Sequence, residues 1–552
     1  MKRCSMLSRI LAITLCVIMV FTGCSKKSGS EATSGGDSTT PTAGATDGKT
    51  EGSTQESTDA TAIKTGGTLT IGTVSTVTNV GYTPELGGNA FIKFVRTAYN
   101  SLLNYDDQGN LIGELATEWS FDTQACTITY KLRQGVTFSD GTPFNAEAVK
   151  WNIEEYAANN RTEVADIASI DCPDEYTVTI KLNQWNSSKL EAIGFFVLYM
   201  SPTAIKDNGK EWAYANTCGT GAFVSDAIVE GSSVSYAANK SYWEEGKPYL
   251  DKVVFNIFAD TNTADYALQN KEIDLLFDGP TAIVTEFKDK PGYTEYSNTN
   301  GYGKETLGLI PSSANEKNAD GSVNPWYYAE VRQALCYAID TNALNQVLSQ
   351  GTKGLTNQWA AEGSSTYSPN VKGYEYNPEK AKELLKAAGF EKGFTTQIYD
   401  AGTFTDACTL VQSFLAEVGI TVTINTVDAT TFMGYMYNGW EGLYWHWASI
   451  SPDLGLYMGR HLDTKATFYG MSLQHPEDAM TLLEQVRTST TPEEKQKYSW
   501  ELQQVIYDKY ALFGRVINVS APIIIASDYV KDGAWGVSHA SSWSAANCWL
   551  DK

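Results

Sequence analysis

The chain has 552 residues, 12% of them aromatic, and carries 64 acidic against 41 basic side chains for a formal charge of -23. A surface that acidic repels nucleic acid and anionic membranes, so neither is expected as a partner, and it favours neutral or cationic solutes. At ~150 residues per domain the length suits several domains.

Lys2, Arg3 and Arg9 precede an apolar run from Ile10 to Phe21, followed by Thr22, Gly23 and Cys24. The run is shorter than the ~20 residues needed to span hydrocarbon, so residues 1–23 read as a cleavable signal peptide rather than a permanent membrane helix. Val20-Phe21-Thr22-Gly23-Cys24 resembles a bacterial lipobox, with Phe21 in place of the more usual leucine. That resemblance implies acylation of the Cys24 thiol and tethering to the outer face of the cell membrane, since acyl chains contribute about 0.8 kcal/mol per buried methylene. Residues 24–62 then supply Ser, Thr, Gly, Ala and charged residues with no aromatic side chain, the composition of a flexible stalk. Beyond Cys24 the cysteines at 126, 172, 218, 336, 408 and 548 show no metal-ligand spacing. One disulfide is open, buried free thiols are the simpler expectation, and no metal or cofactor is expected.

The body alternates strands and helices, which makes it an α/β protein. Gly67-Thr68-Leu69-Thr70-Ile71-Gly72 reads as an opening strand, and Cys126–Leu132 and Tyr176–Leu182 alternate apolar and polar residues at period two. Val331, Ala334, Leu335, Ala338 and Ile339 recur at helical spacing. Asn377-Pro378 opens a helix that Gly389 closes, and Thr491 with Glu494 forms a capping box around Pro492. Each apolar stripe is expected to face core.

Leu115-Ala116-Thr117-Glu118-Trp119 and the run from Leu132-Arg133-Gln134-Gly135 through Phe138-Ser139-Asp140-Gly141-Thr142-Pro143-Phe144-Asn145 to Val149 resemble the hallmark of the bacterial extracellular solute-binding proteins of family 5. These are the oligopeptide-, dipeptide- and nickel-binding proteins of ABC importers. The likeness continues in order through Cys218-Gly219-Thr220-Gly221, Asn239-Lys240-Ser241-Tyr242-Trp243, Leu268-Gln269-Asn270 to Asp274, and Val331-Arg332-Gln333-Ala334 to Asp340. The family usually has proline where Ala222 stands. Physically, Asp140-Gly141-Thr142-Pro143 has turn chemistry, Asn145 can cap the helix that follows, and Gly219 with Gly221 suits a tight turn between lobes.

The resemblance implies a type II periplasmic-binding-protein fold, two lobes with hinge closure plus an extra third domain. A discontinuous lobe I would comprise 63–108, 219–300 and 512–552, the extra domain II 109–218, and lobe III 301–511. It also implies capture of a small ligand, by family default a peptide, and delivery to ABC permease subunits. Its ligand chemistry maps onto Trp440-Glu441-Gly442-Leu443-Tyr444-Trp445-His446-Trp447-Ala448-Ser449-Ile450-Ser451-Pro452-Asp453. Trp445 matches a pocket-wall tryptophan, whereas Ala448 stands where peptide-binding members hold an aspartate against the ligand's ammonium. Glu441 or Asp453 would then have to supply the acid, or the ligand has no free amine there. Trp440, Tyr444, Trp445 and Trp447 would suit stacking on an oligosaccharide, the alternative cargo, although two of the four can simply be core, and strand alternation puts at least Tyr444 or Trp447 there. His446 is the weaker pointer to a metal chelate, and Tyr82, Asn89 and Phe91 are candidates from the first lobe.

An enzyme is not expected. The chain has no Gly-x-Ser-x-Gly elbow, no His-Glu-x-x-His pair and no Walker loop, and Gly301-Tyr302-Gly303-Lys304 lacks the Walker spacing. A ligand sensor or pheromone receptor on the same fold is the alternative of another class.

Overall fold

The computed structural model describes residues 62–552 apart from 87–92, 107–109, 278–285, 288, 298–304, 361, 452, 521–522 and 533–542. The expected signal peptide, Cys24 and the expected stalk up to Thr61, together with Asn89 and Phe91, therefore lie outside the described residues. Residues 62–552 build three main sheets, each over its own hydrophobic core.

The seven-stranded sheet centres on Thr68–Thr73, which runs parallel to Lys252–Ile257 on one side and Leu275–Phe277 on the other. Leu69, Ile71, Val253, Phe255 and Leu275 are fully buried there, as the middle of a parallel arrangement requires. Asp274 ties the sheet to both ends of the body. Its carboxylate accepts from the Thr70 N–H at 2.7 Å, from the Tyr529 hydroxyl at 2.8 Å and from Lys552 Nζ at 2.9 Å. Burial works to raise its pKa, yet these donors hold it below the ordinary carboxylate range.

The four-stranded antiparallel sheet contains Thr127–Leu132 and Thr177–Leu182, each within a residue of its expected start. Period-two alternation puts Ile128, Tyr130, Val178 and Ile180 in the core and leaves Lys131 exposed. The helix Ala146–Ala158 covers this sheet and is capped by Asn145, whose side chain accepts from the Ala148 N–H. The loop before it is a side-chain turn: Asp140 accepts from the Thr142 N–H at 2.9 Å and from the Ser201 hydroxyl at 2.5 Å.

The six-stranded sheet is ordered Gly354–Leu355, Arg515–Ser520, Glu305–Pro311, Leu443–Ser449, Phe394–Asp400, Ile420–Thr426. The helix Pro378–Ala387 has proline in its first turn and Asn377 as cap, and Gly389 follows it at φ 85°. The helix Pro492–Gln504 is capped by Thr491, while Glu494 reaches back to the N–H and hydroxyl of Thr490, one residue earlier than the capping-box reading placed it. Arg515–Ser520 hydrogen-bonds to Glu305–Pro311 and so belongs to this sheet. The segment expected from 512 onward in lobe I thus contributes residues 515–520 to this sheet.

Between residues 62 and 552 the chain passes into the six-stranded sheet between Ser297 and Glu305 and leaves it between Ser520 and Ile523. These passages are neighbours at both ends, because Ser297 is the ladder partner of Ile523 and Glu305 that of Ser520. The strands that flank the two connections thus lie side by side, an arrangement of the kind on which two-lobed proteins hinge.

Gly219 and Gly221 serve close approach rather than an unusual turn conformation. A Cβ on Gly219 would lie 2.2 Å from the Ala98 carbonyl oxygen, and one on Gly221 would lie 2.4 Å from the Ala98 carbonyl carbon. Backbone that close cannot yield cheaply, so Gly219→Ala is expected to lower unfolding free energy by about 1–3 kcal/mol. Urea denaturation followed by circular dichroism checks it, and an unchanged midpoint would contradict the packing.

Candidate functional site

The strand Leu443–Ser449 runs between Glu305–Pro311 and Phe394–Asp400, and its side chains alternate between the two faces of the sheet. Trp445 goes to one face. It is 1% exposed, its indole N–H donates to the Cys408 sulfur at 3.0 Å, and its ring lies 5.2 Å from that of Phe404. The residue expected to wall a pocket is thus built into the core against the helix Thr405–Glu417.

Tyr444 and His446 project from the other face. Tyr444 stacks on Phe432 at 4.6 Å, and Trp440 lies 4.9 Å from Tyr444 and 5.7 Å edge-on to Tyr469. Trp440 is 5% exposed with Tyr444 tilted against it, so it offers no open stacking platform. His446 Nδ1 and the Tyr469 hydroxyl share a short hydrogen bond, and the imidazole lies 4.1 Å from the Trp359 ring. Trp359 in turn meets Phe513 at 4.1 Å, Tyr457 at 5.1 Å and His461 at 5.6 Å. Nothing in the sequence spacing joins residues 359, 446, 457, 461, 469 and 513. His461, set apart from His446 by sequence, comes within 6.3 Å of it, ring to ring.

Both histidines are held neutral. Burial, helped by the neighbouring His461, drives the His446 pKa well below its ordinary value, and burial takes His461 down to about 3. His461 Nδ1 donates to the Tyr457 carbonyl at 2.8 Å, which fixes its tautomer. Among the described residues, four buried atoms in this cluster have no hydrogen-bond partner: Trp359 Nε1, Trp440 Nε1, His446 Nε2 and the Tyr457 hydroxyl. Each buried group without a partner costs about 1–3 kcal/mol. Trp359 Nε1 can only donate, whereas the Tyr457 hydroxyl can donate or accept.

Ala448 is half-buried beside this cluster, two positions along the same face from His446, and its ladder partner is Thr306. The backbone of Trp447 pairs with Leu307. Neither acid offered as a replacement for the missing aspartate is free. Glu441 accepts from the Ala319 N–H at 2.6 Å, near the opposite end of the strand. Asp453, expected to touch ligand, is instead the N-cap of the helix Leu454–His461, accepting from the Leu456 N–H at 2.9 Å and the Ser188 hydroxyl at 2.7 Å and pairing with Lys495. Burial acts to raise its pKa, and the Lys495 ammonium outweighs that to keep it ionised. Glu191 lies beside this group with its pKa pushed up to about 8 by burial and then by the Asp453 charge.

Tyr82 also points elsewhere than expected. It is 3% exposed, shares a short hydrogen bond with Glu155 and accepts from Asn159 Nδ2 at 3.1 Å, which fastens the first sheet to the helix Ala146–Ala158. Among the described residues no group of three or more His, Cys, Asp or Glu side chains is arranged to hold a metal, and the six cysteines are free thiols.

A family model of the bacterial extracellular solute-binding proteins, family 5 Middle, matches residues 110–467. The glutathione-binding protein GsiB of Shigella flexneri is 30% identical over 343 residues, 60% of this chain and 64% of the relative. GsiB of Escherichia coli O157:H7 is 31% identical over 346 residues, again 60% and 64%. The match therefore spans somewhat less than two thirds of these relatives' own length. In three dimensions the periplasmic binding protein DppA of Helicobacter pylori, solved with the peptide STSA, superposes at a TM-score of 0.74 with 21% identity, covering 89% of this chain and 99% of its own. NikA of Brucella suis, solved with Fe(III)-EDTA, does so at 0.73 with 20% identity, covering 86% and 99%. These superpositions show the periplasmic-binding-protein fold.

Two measurements test the site as built. Trp445→Ala should lower stability by about 3–5 kcal/mol through the cavity left against Phe404 and Cys408, read by urea denaturation. Glu191 has a folded-state pKa raised from 4.5 to about 8. Its contribution to stability is therefore complete below about pH 4.5 and is lost as pH rises through about 8. Glu191→Gln should flatten that decline in a thermal-unfolding series from pH 5 to 9, whereas an unaltered slope would mean that another group governs it.

Proposed function

The chain belongs to the bacterial extracellular solute-binding proteins of family 5, and from that membership we propose that it is the capture component of an ABC importer for peptides or related amide ligands such as glutathione. The observation that carries this reading is that the chain connects two separately cored sheets twice, with the flanking residues paired as Ser297 with Ile523 and Glu305 with Ser520. Lobes joined that way can close around a small molecule, and a ligand that contacts both stabilises the closed form. The permease would recognise that closed form.

Two further features support an amide or carboxylate ligand. The buried donors Trp359 Nε1 and the Tyr457 hydroxyl await oxygen acceptors beside His446 and Ala448. Trp440 and Trp445, the rings that suggested an oligosaccharide, are packed into protein. Ala448, Glu441 and Asp453 together offer no free carboxylate for a ligand ammonium at this position, so the ligand would present a carbonyl or carboxylate to this face. The reading includes export, acylation at Cys24 and retention on the outer face of the membrane through the 24–62 stalk.

Isothermal titration of the body from Ile63 onward against glutathione, short peptides and cello-oligosaccharides tests the cargo. Saturable binding of glutathione or a peptide is expected, and saturation by the sugars alone would overturn the reading. Trp359→Phe keeps the ring and removes the N–H, and should weaken the bound peptide or glutathione roughly 5- to 100-fold, the worth of one buried hydrogen bond. For the anchor, Cys24→Ala should abolish metabolic labelling with palmitate and release the protein from membranes.

A further inference from the structure

The hinge passages lie at one end of the six-stranded sheet, and a second contact between the two bodies is made by the segment 184–191 at the start of the helix Ser188–Phe196. This segment belongs to the body that carries the four-stranded sheet. It docks on the helices of the six-stranded unit through a set of hydrogen bonds. The Ser187 N–H donates to the Arg487 carbonyl at 2.7 Å and the Trp185 indole to the Ser489 carbonyl at 3.1 Å. Both acceptors lie at the C-terminal end of the helix Glu477–Thr488, where carbonyls lack intrahelical partners. At the centre, the Ser188 hydroxyl donates to Asp453 across the boundary at 2.7 Å, with Asp453 ionised against Lys495 of its own unit.

Asp453 is 3% exposed and Ser188 is 3% exposed. A buried carboxylate is costly unless every partner is present. When the bodies separate, Asp453 loses the Ser188 donor and regains water, and the helix-end carbonyls do the same. The contact is thus polar, satisfied only when the bodies are shut, and can be solvated when they open, as reversible interfaces between domains are.

We propose that Ser188 and Asp453 form a closure latch: a positioning pair that holds the segment 184–191 against the six-stranded unit in the shut state and raises ligand affinity without touching ligand. The latch rests on the two-lobe reading above, and its effect is independent of which ligand binds. Asp453 sets the charge and geometry on one side, and Ser188 supplies the donor from the other. A ligand that binds only the shut form then gains the latch's bias in its apparent affinity.

The test uses the body from Ile63 onward with three variants. Ser188→Ala removes only the cross-boundary donor. Asp453→Asn removes the charge while keeping a side chain able to cap the helix. The third is the double substitution. Amide exchange in the ligand-free protein is read for peptides covering 184–191 and 484–490, with the strand Thr127–Leu132 as internal control. Each single variant should exchange several-fold faster at the docked segment with the control unchanged, and the double variant should be no faster than Asp453→Asn, as coupled partners require. Affinity for glutathione should fall roughly tenfold in each single variant, a usual size for coupling between sites. Unchanged exchange at 184–191, additive effects in the double variant, or faster exchange with unchanged glutathione affinity would overturn the latch. Should the unaltered protein bind no glutathione, that counts against the cargo, while the exchange comparison still decides the latch.

Discussion

Everything in this molecule is arranged around the fact that its chain joins two independently cored bodies by two neighbouring passages. Ser297 and Ile523 are paired on one side and Glu305 and Ser520 on the other, so the strands that flank both connections lie side by side. On either side the strands Thr68–Thr73 and Leu443–Ser449 place Leu69, Ile71, Leu443 and Trp445 in separate cores.

Burial sets the charge state of the groups on both sides of the contact between the two bodies. His446 and His461 are neutral because the surrounding rings cannot solvate an imidazolium. Asp453 stays ionised in the same kind of setting because Lys495, the Ser188 hydroxyl and the Leu456 N–H all face it. Glu191, without an equivalent cation of its own and next to that charge, keeps its proton to near-neutral pH. Three carboxyl and imidazole chemistries thus follow from one rule, the availability of compensating partners in a dry environment. The aromatic cluster around Trp359 adds its own demand, since its unpaired N–H and O–H groups call for acceptors that the described protein atoms do not supply.

Much of the local structure was legible in the chain. Period-two alternation located Thr127–Leu132 and Thr177–Leu182, and Asn145, Asn377 and Thr491 cap the helices their positions announced. These features depend on residues within a few positions of each other, so sequence order carries them. The individual site residues fared differently. Trp445 and Asp453 sit in the expected segment, yet the tryptophan is core and the aspartate is a cap and ion pair, because the helices that cover them come from residues 405–417, 188–196 and 492–504. Trp359, Tyr457, Tyr469 and Phe513 went unnoticed since no motif or spacing links them to His446.

The sequence alone determined the class of protein: an acidic chain whose body alternates strands and helices and carries an ordered set of family 5 motifs. Turns, caps and periodicities are short-range, and motif order survives divergence because it reports the fold. Tertiary structure alone decided which side of the strand Leu443–Ser449 holds unpaired donors, which acids are already engaged, and where the two bodies meet away from the hinge. Those properties depend on partners hundreds of residues apart, such as Ser188 and Asp453, whose meeting is fixed by the packing of separate sheets rather than by any local pattern.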